Sequence, residues 1–390
     1  MFYIGIDIAK RSHEISILDD LQGIVEPSRK ITSTSVGTEK LLALFEKHQV
    51  SPENCLIGME ATGHYWLVLY SFLISRGFLV KVINPIVTDA YRKMLIRRVK
   101  NDSIDAQVIA KVLMLGEYNE SSVANEETLA LRQLCRFRSY EVDVCSDLKR
   151  KSIALLDQVF PEYEHIFSDT FGVTSREVLS NFNTPEELSQ INTRKLSNLL
   201  NKASRGRFGL EKAREVKAIA SKSLGIKIAT DAFSFQLAQL INQLEFIELQ
   251  VKMLDEQITI YMKRTNSFIT TIPGIGPVLG AVITSELGDI SRFSEAKKVV
   301  AYAGLDASVS QSGDFKGSRM HMSKRGSPYL RRAIFTAANV ASRFDPSLSA
   351  YYQRLKARGK HHNVAVGAVA RKLCYIIFAV LTENRPFEHR

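Results

Sequence analysis

The first eight residues alternate between apolar side chains and a mixed set. Apolar residues occupy the even positions, Phe2, Ile4, Ile6 and Ile8. A period of two predicts a β-strand with one buried face, because successive side chains of a strand point to opposite sides. After a turn at residues 10–12, residues 13–19 predict a second strand and residues 24–33 a third extended stretch. The chain is therefore expected to open with three strands.

The segments that follow alternate between helical and extended patterns. Leu41, Leu44 and Phe45 have helical spacing, and residues 55–59 form a short apolar run that ends at Glu60. Residues 65–74 predict a helix, residues 78–83 a strand, and a further helix follows. The order strand, strand, strand, helix, strand, helix, strand, helix is that of an RNase H-like α/β domain.

Four carboxylates are placed at the ends of these elements. Asp7 and Glu60 end two apolar strands, while Asp102 and Asp105 lie three apart on one face of a helix. Asn101 is a plausible N-cap for that helix. Its expected buried stripe is Ile104, Val108, Val112 and Leu115. Converging carboxylates repel one another unless they hold a cation, so the set predicts a metal site for chemistry on phosphates.

Each acid also has an ordinary structural explanation. An Asp at a strand end is commonly a turn former, and Asp102 at a helix start complements the helix dipole. For one acid alone that explanation is the better one. The combination of four acids, in this order and on these elements, favours the metal site.

Charge is distributed unevenly along the 390 residues, whose formal net charge is +11. Residues 291–390 carry +12 and the remainder −1. Such a segment suits a polyanionic partner, although an ordinary basic surface has the same composition. A second basic cluster precedes the Asp102 helix and comprises Arg92, Lys93, Arg97, Arg98 and Lys100. Its position beside the predicted metal site favours nucleic acid.

The remaining composition excludes several classes of protein. Cys55, Cys135, Cys145 and Cys374 have no metal-binding spacing, and Cys55 and Cys374 are expected to be buried thiols. Met1 leads directly into a strand, so no signal peptide is expected. No apolar run is expected to be long enough to cross a membrane, and no membrane partner is expected. We therefore expect a cytoplasmic protein.

The middle of the chain has a helical texture. Residues 126–165 and 230–264 have apolar residues at helical spacing, which predicts long helices joined by polar loops, in the manner of a coiled-coil arm. Residues 201–217 form a basic stretch that is either a nucleic-acid contact or, more commonly, a solvated face. The predicted domains are residues 1–125, 126–265 and 266–390.

Two motifs in the last domain indicate contact with DNA. Pro273, Gly274, Gly276 and Pro277 predict a turn like that of a helix-hairpin-helix, in which glycines let backbone amides approach phosphate. A Ser-rich loop follows with four possible nucleophiles, Ser308, Ser310, Ser312 and Ser318, and sequence physics does not choose among them. The expected phosphate contacts around it are Lys316, Arg319, Lys324, Arg325, Arg331 and Arg332.

The motifs GIDIAK, MEATGHY, NDSIDA, PGIGP, AYAGL, QSG and SKRG together resemble the DEDD-type transposases of the IS110 family of insertion sequences, which are related to Piv-type DNA invertases. The resemblance implies a RuvC-like domain, a helical arm and a carboxy-terminal transposase domain. It places Mg²⁺ or Mn²⁺ on Asp7, Glu60, Asp102 and Asp105, and the nucleophile on Ser312. It also implies a structured non-coding guide RNA, double-stranded donor and target DNA, and a tetramer built as a dimer of dimers with composite sites. The implied location is the bacterial cytoplasm, in association with the nucleoid.

The predicted activity is transposition through a covalent phosphoserine intermediate. A RuvC-like nuclease is the first alternative, since it would use the same acids with water as the nucleophile. An actin-like ATPase would need a second Asp-Gly phosphate motif and a Gly-Gly adenosine motif, neither of which we find. A protein that only binds nucleic acid has no use for clustered acids beside phosphate.

Overall fold

The computed structural model describes most of the chain. It covers residues 1–60, 63–94, 102–116, 120–121, 126–307, 311–312, 315–316 and 321–389, with only the backbone for Ile86, Asp102, Ser103 and the two-residue strands. The chain divides into two compact units, Met1–Ala124 and Asn125–Arg390. The boundary predicted at residue 265 falls within the second unit and stays a prediction.

The first unit is built on one mixed sheet. Its strands are β1 (Phe2–Ile8), β2 (Ser12–Asp19), β3 (Gly23–Thr32), β4 (Cys55–Glu60), β5 (Val80–Ile83) and β6 (Glu120–Ser121). They lie in the order β3-β2-β1-β4-β5-β6. β1 runs parallel to β4 and β4 parallel to β5, whereas β2, β3 and β6 pair antiparallel with their neighbours. The carboxyl ends of β1, β4 and β5 therefore lie side by side at the same end of the sheet.

Helices cover both faces of this sheet. They are α1 (Ser35–Lys47), α2 (Trp66–Ile74), α3 (Pro85–Met94) and α4 (Asp102–Leu115). On one face of β1, Ile4, Ile6 and Ile8 are buried in a core with residues of α1 and α2, and Phe2 packs against this core. The odd-numbered side chains face α4, whose Val108, Ile109 and Leu113 belong to a second core. The alternation in the sequence thus corresponds to two different helical layers.

Two strand glycines allow α4 to lie very close to the sheet. A Cβ at Gly5 would lie 1.9 Å from the Ala106 carbonyl oxygen, and one at Gly58 would lie 2.6 Å from Leu113 Cδ1. At Gly5 the obstacle is helix backbone, while at Gly58 it is the end of a flexible side chain. The backbone of α4 therefore rests on β1.

We expect Gly5→Ala to lower the free energy of unfolding of this unit by about 3 kcal/mol, at the upper end of overpacking costs. Gly58→Ala should cost less, because Leu113 can move. Denaturant unfolding followed by the fluorescence of Trp66, the single tryptophan of the chain, measures both effects. Equal losses, or a larger loss at Gly58, would show that α4 does not pack on β1 in this way.

The predicted order of elements in this unit is confirmed, with three differences. β5 begins at Val80 rather than at residue 78. The short strand β6 was not predicted. Leu115 is 53% exposed, so its place in the buried stripe of α4 was wrong. The helix buries Ala106, Ile109, Ala110 and Leu113 as well, because it is pressed against four strands.

The second unit begins with a long helical hairpin. α5 (Glu126–Val159) and α10 (Thr230–Arg264) run antiparallel. Arg138 donates to both carboxylate oxygens of Asp255, at 2.6 and 3.3 Å, and Lys149 pairs with Glu248 at 2.9 Å. These contacts fix the register of the two helices. Phe235 and Leu249 are among the apolar residues at helical spacing in residues 230–264, but both are exposed and do not lie between α5 and α10.

The segment between α5 and α10 is folded, so the prediction of polar loops was wrong. It contains a 3₁₀ turn and the helices α6 (Val173–Asn181), α7 (Pro185–Gln190), α8 (Thr193–Ala203) and α9 (Leu210–Ala220). These elements share a core with the ends of α5 and α10, and this core includes Phe160, Tyr163, Leu196, Val216 and Leu237. Its apolar residues are spread over short helices, which is why no long periodic pattern appears in the sequence.

The rest of the unit is a helical domain. Its elements are α11 (Pro277–Leu287), α12 (Ala296–Tyr302), the strands β7 (Gln311–Ser312) and β8 (Phe315–Lys316), and the helices α13 (Pro328–Phe344), α14 (Pro346–Ala357) and α15 (His362–Glu383). They pack around a core that also takes Leu131 from α5 and Met262 from α10. The four cysteines are buried, as expected for two of them, and burial raises the pKa of Cys374 to about 12.

One helix of the described residues, α15, is long and apolar enough to cross a membrane. The expectation that no run has this length was therefore wrong. Half of the apolar stretch of α15 is buried inside the protein, where Val369, Leu373 and Ile377 contribute to the core. This burial is typical of a core helix.

Candidate functional site

Asp7 and Glu60 lie on neighbouring parallel strands and project from the same face. The last paired residues of β1 and β4 are Ile6 and Met59, so each acid stands one position further along. Each is also two residues beyond a glycine that contacts α4, Gly5 or Gly58. Because side chains of a strand alternate, both acids point to the face that α4 covers. The structure therefore brings these two predicted residues to one place.

α4, which begins at Asp102, carries Asp105 to the same face. Asp105, which is 9% exposed, directly precedes Ala106, the residue whose carbonyl lies against Gly5. Asp102 is the first residue of the helix, and only its backbone is described. The predicted cap Asn101 lies outside the described residues. The close packing of Ala106 on Gly5 therefore determines how far Asp105 lies from β1.

α3 holds two of the carboxylates through side chains four residues apart. Thr88, which is fully buried, donates its hydroxyl to Glu60 Oε2 at 3.0 Å. Arg92 donates from Nε to Asp105 Oδ1 at 2.9 Å and also pairs with Asp89. From the sequence, Arg92 was assigned to a basic cluster expected to approach a phosphate backbone. In the structure its guanidinium pairs with the carboxylates of Asp105 and Asp89 instead. Thr88 was missed, and its i,i+4 spacing to Arg92 was the available signal.

The donor set suits a divalent cation of the Mg²⁺ or Mn²⁺ type, since it consists only of carboxylate oxygens. Among the side chains that the structure describes, no three of His, Cys, Asp or Glu are gathered tightly enough to hold a metal ion. Asp102 is outside that set, and Asp105 is engaged by Arg92. A cation ligated by Asp105 would replace the guanidinium as its counter-ion.

Ser312 lies in a small β-hairpin of the second unit. Its backbone pairs with Phe315, and Gln311 pairs with Lys316, which leaves a two-residue connection. This places Ser312 at the last paired position before the tip. The alternatives Ser308, Ser310 and Ser318 lie outside the described residues.

The base of the serine loop is fastened at three points. The backbone amide of Ser323 donates to the Asp306 carbonyl at 2.9 Å, and the hydroxyl of Ser323 donates to the Asp306 carboxylate. Ala307 and Met322 form an isolated antiparallel bridge. The loop therefore leaves the helical domain from an ordered neck.

Two glycine-containing turns, at Gly304 and Gly326, pack closely against each other's segments at the base of this loop. A Cβ at Gly304 would lie 2.1 Å from the Arg325 carbonyl oxygen, and one at Gly326 would lie 2.0 Å from the Tyr302 carbonyl oxygen. Both glycines have positive φ, 65° and 87°. Only glycine allows both the left-handed backbone and this approach. The AYAGL and SKRG motifs of the sequence thus form one closely packed pair of turns.

Glu286 stabilises the same pair of turns through hydrogen bonds to Arg136 and Ser327. It was not identified from the sequence. It is 2% exposed and accepts two hydrogen bonds from Arg136, at 2.7 and 3.1 Å. Its Oε2 also accepts from Ser327, the N-cap of α13, at 2.8 Å. The hydrogen bonds to Glu286 raise the pKa of Arg136 above its usual value. The start of α13 is thereby tied to α5 and α11.

We expect Glu286→Gln to lower the free energy of unfolding by about 2 kcal/mol, because it breaks a largely buried ion pair. Asp143→Asn, which breaks the exposed pair with Arg332, is the matched control and should cost less than about 1 kcal/mol. Thermal unfolding followed by circular dichroism compares the two. Equal losses would mean that Glu286 contributes no more than a surface charge.

The structure separates the predicted nucleic-acid contacts into three groups. Arg331 is engaged internally, donating to the carbonyls of Ala303 and Lys324 at 3.3 and 3.1 Å, and a Cβ at Gly274 would meet the α13 backbone at Ala337. Open to solvent are Gly276, Lys324, Arg325 and Arg332, the last paired with Asp143. The remainder, Arg97, Arg98, Lys100 and Arg319, lie outside the described residues, and Lys316 is described only as backbone in β8.

A mixed sheet that ends in paired carboxylates, in one chain with a basic helical domain, is typical of enzymes that cut and join phosphodiesters. Two family models match this chain. One, a DEDD-type transposase model for IS110, covers residues 4–161. The other, described as the transposase IS116/IS110/IS902 family, covers residues 266–353. The protein is a DNA transposase or recombinase, and it belongs to the IS110/IS116 family.

Relatives align over nearly the whole chain. The mini-circle putative transposase for IS117 of Streptomyces coelicolor is 28% identical over 93% of this chain and 89% of its own length. The pilin gene-inverting protein of Moraxella bovis is 26% identical over 100% and 98%. A transposase for the insertion sequence element IS1111A of Coxiella burnetii is 22% identical over 98% and 90%. The family confirms the predicted enzyme class, and its DEDD domain implies an RNase H-like fold and a divalent metal cation.

Proposed function

We propose that this transposase cuts and rejoins double-stranded DNA with a serine nucleophile, Ser312, and a divalent cation held by Asp7, Glu60, Asp102 and Asp105. The observation that carries the proposal is the paired placement of Asp7 and Glu60 under α4. The hairpin position of Ser312, on a neck with exposed cations at Lys324 and Arg325, supports its role as the attacking group. Such cations stabilise the charge that develops on phosphate.

The chain's own residues divide the chemistry as follows. The four carboxylates would hold Mg²⁺ or Mn²⁺, and such an ion would supply Lewis-acid stabilisation of the charge on the scissile phosphate. Thr88 orients Glu60, and Arg92 keeps Asp105 paired until phosphate and cation arrive. The Ser312 oxygen attacks phosphorus, its proton leaves to a base, and the DNA oxygen departs, so one phosphodiester is exchanged for a phosphoserine ester. Reversal by a second strand end releases serine and joins DNA.

Three further elements belong to the proposal. A structured non-coding RNA would guide the choice of donor and target by base pairing, while the protein reads RNA shape. Exchange of two duplexes would require several subunits, as in a tetramer of two dimers. The reaction would take place in the bacterial cytoplasm.

The covalent intermediate tests the proposal directly. Labelled DNA incubated with the protein and Mg²⁺ or Mn²⁺, with copurified RNA retained, should migrate with the protein on a denaturing gel. The alternative, a RuvC-like nuclease that activates water, predicts cut DNA with free ends and no adduct.

A further inference from the structure

The tip of the long helical hairpin carries a concentrated positive charge. We define the tip hairpin as residues 192–222, which contain α8, a turn and α9. It holds nine Lys or Arg and two Glu, a net charge of +7, while the other residues of the first 290 carry −8. The tip hairpin is therefore a further centre of positive charge, beside the last hundred residues and the basic cluster at residues 92–100.

Most of these cations are unpaired within the part of the chain that the structure describes. Lys212 pairs with Glu215 at 2.9 Å, and Lys217 donates to the Ile191 carbonyl. The other seven are exposed and make no ion pair with any described residue, namely Arg194, Lys195, Lys202, Arg205, Arg207, Arg214 and Lys222. Unneutralised like charges on adjacent turns repel one another, and a polyanion would relieve that repulsion.

The cations are mounted on an ordered scaffold. Leu196 and Leu200 of α8 and Val216 of α9 are fully buried in the tip core. Asn192 caps α8 by accepting from the amides of Arg194 and Lys195, at 2.9 and 3.3 Å. Lys195 and Lys202 are two helical turns apart, about 10 Å along one face. The cations therefore need little ordering when they meet a ligand.

The turn between the helices extends this surface. Arg205 has φ 54° and Gly206 φ 87°, and no heavy atom lies within 4 Å of a Cβ at Gly206. The only aromatic residue of the tip hairpin is Phe208, which is half-buried against Phe167 at 6.0 Å. An exposed ring for stacking single-stranded bases is therefore lacking, which favours duplex over single-stranded ligands.

We propose that the tip hairpin binds the phosphate backbone of duplex nucleic acid, independently of base sequence. The proposal rests on the proposed function only in taking nucleic acid as the partner class. It adds a second docking surface on the helical arm, distinct from the carboxylates and from the serine loop. Double-stranded DNA and the helical stem of a folded RNA present the same backbone charge.

The test compares two triple variants of the full-length chain that remove the same charge. K195Q/K202Q/R205Q removes tip cations, while R150Q/K252Q/K263Q removes exposed cations of α5 and α10. Fluorescence anisotropy with a short DNA duplex and with an RNA stem, across a range of salt concentrations, gives affinity and salt dependence. The tip variant should bind about 10- to 100-fold more weakly at low salt. Its slope of log affinity against log salt should fall by about 2 to 3, the value for three lost phosphate contacts.

Each outcome decides the proposal. A loss confined to the DNA or the RNA ligand identifies the source of the backbone, and K195R/K202R/R205K should restore binding because it keeps the charge. Equal affinities and slopes for the tip and control triples would overturn the proposal. Binding needs no cleavage, so a protein that forms no serine adduct would still give the slope difference, and the two proposals fail separately.

Discussion

Ser312→Ala is expected to abolish strand transfer and the covalent protein–DNA adduct, with a loss of about 10⁴-fold or more, because the hydroxyl oxygen is the atom that attacks phosphorus. DNA binding should persist, since Ser312 carries no charge. Rates of strand transfer and denaturing gels of labelled DNA measure the two effects. The substitution should not disturb folding, because it removes only one side-chain oxygen at the end of the short strand β7.

The neighbouring serines provide the controls for this experiment. Ser308→Ala, Ser310→Ala and Ser318→Ala should each retain the adduct and most of the strand-transfer rate. If Ser312→Ala cuts DNA normally, water is the nucleophile and the nuclease alternative is correct. If a different serine variant loses the adduct, the nucleophile has been assigned to the wrong residue of the loop.

Asp7→Asn is expected to reduce cleavage by about 10³-fold or more, because a lost carboxylate weakens the hold on the divalent cation that stabilises charge on phosphate. It should also remove most of the thermal stabilisation that Mg²⁺ or Mn²⁺ gives to the wild-type protein, which is measured by Trp66 fluorescence without substrate. In the presence of chelator the variant should be at least as stable as the wild type, since one of several neighbouring acids is neutralised.

Asp89→Asn is the matched control for Asp7→Asn. Asp89 is an exposed carboxylate on α3 that pairs with Arg92 and is not one of the four predicted ligands. It should retain metal-dependent stabilisation and cleavage within about threefold, as for a surface ion pair. Equal loss of metal response in both variants would show that Asp7 has no special part in binding the cation.

The strands and their order followed from the sequence because alternation is a local property. Phe2 to Ile8 alternate since β1 lies between two helical layers, and Glu60 ends its apolar run because β4 ends there. What the pattern could not predict was the distance between layers. A glycine weakens an isolated strand, so Gly5 and Gly58 look unfavourable in the sequence. Their contribution is to let α4 pack closely on the sheet, which only the structure shows.

The candidate site divides in the same way. The acids were predicted because Asp7 and Glu60 end apolar strands and Asp102 and Asp105 lie at the start of a helix. The partners of Glu60 and Asp105, in contrast, are set by how α3 packs. Arg92 stands among basic neighbours in the sequence, yet its contact is thirteen residues away along the chain. Glu286 was missed for the same reason, since its partner Arg136 lies on a helix 150 residues earlier. Long-range pairs leave no local pattern.

Mass spectrometry of the adduct tests the serine mechanism most directly. The protein is trapped on DNA, the DNA is digested with nuclease and the protein with protease, and the modified peptide is sequenced. We expect a nucleotide joined through phosphate to Ser312. Free DNA ends with no modified peptide, or a nucleotide on any other residue, would contradict the assignment of Ser312 as the nucleophile.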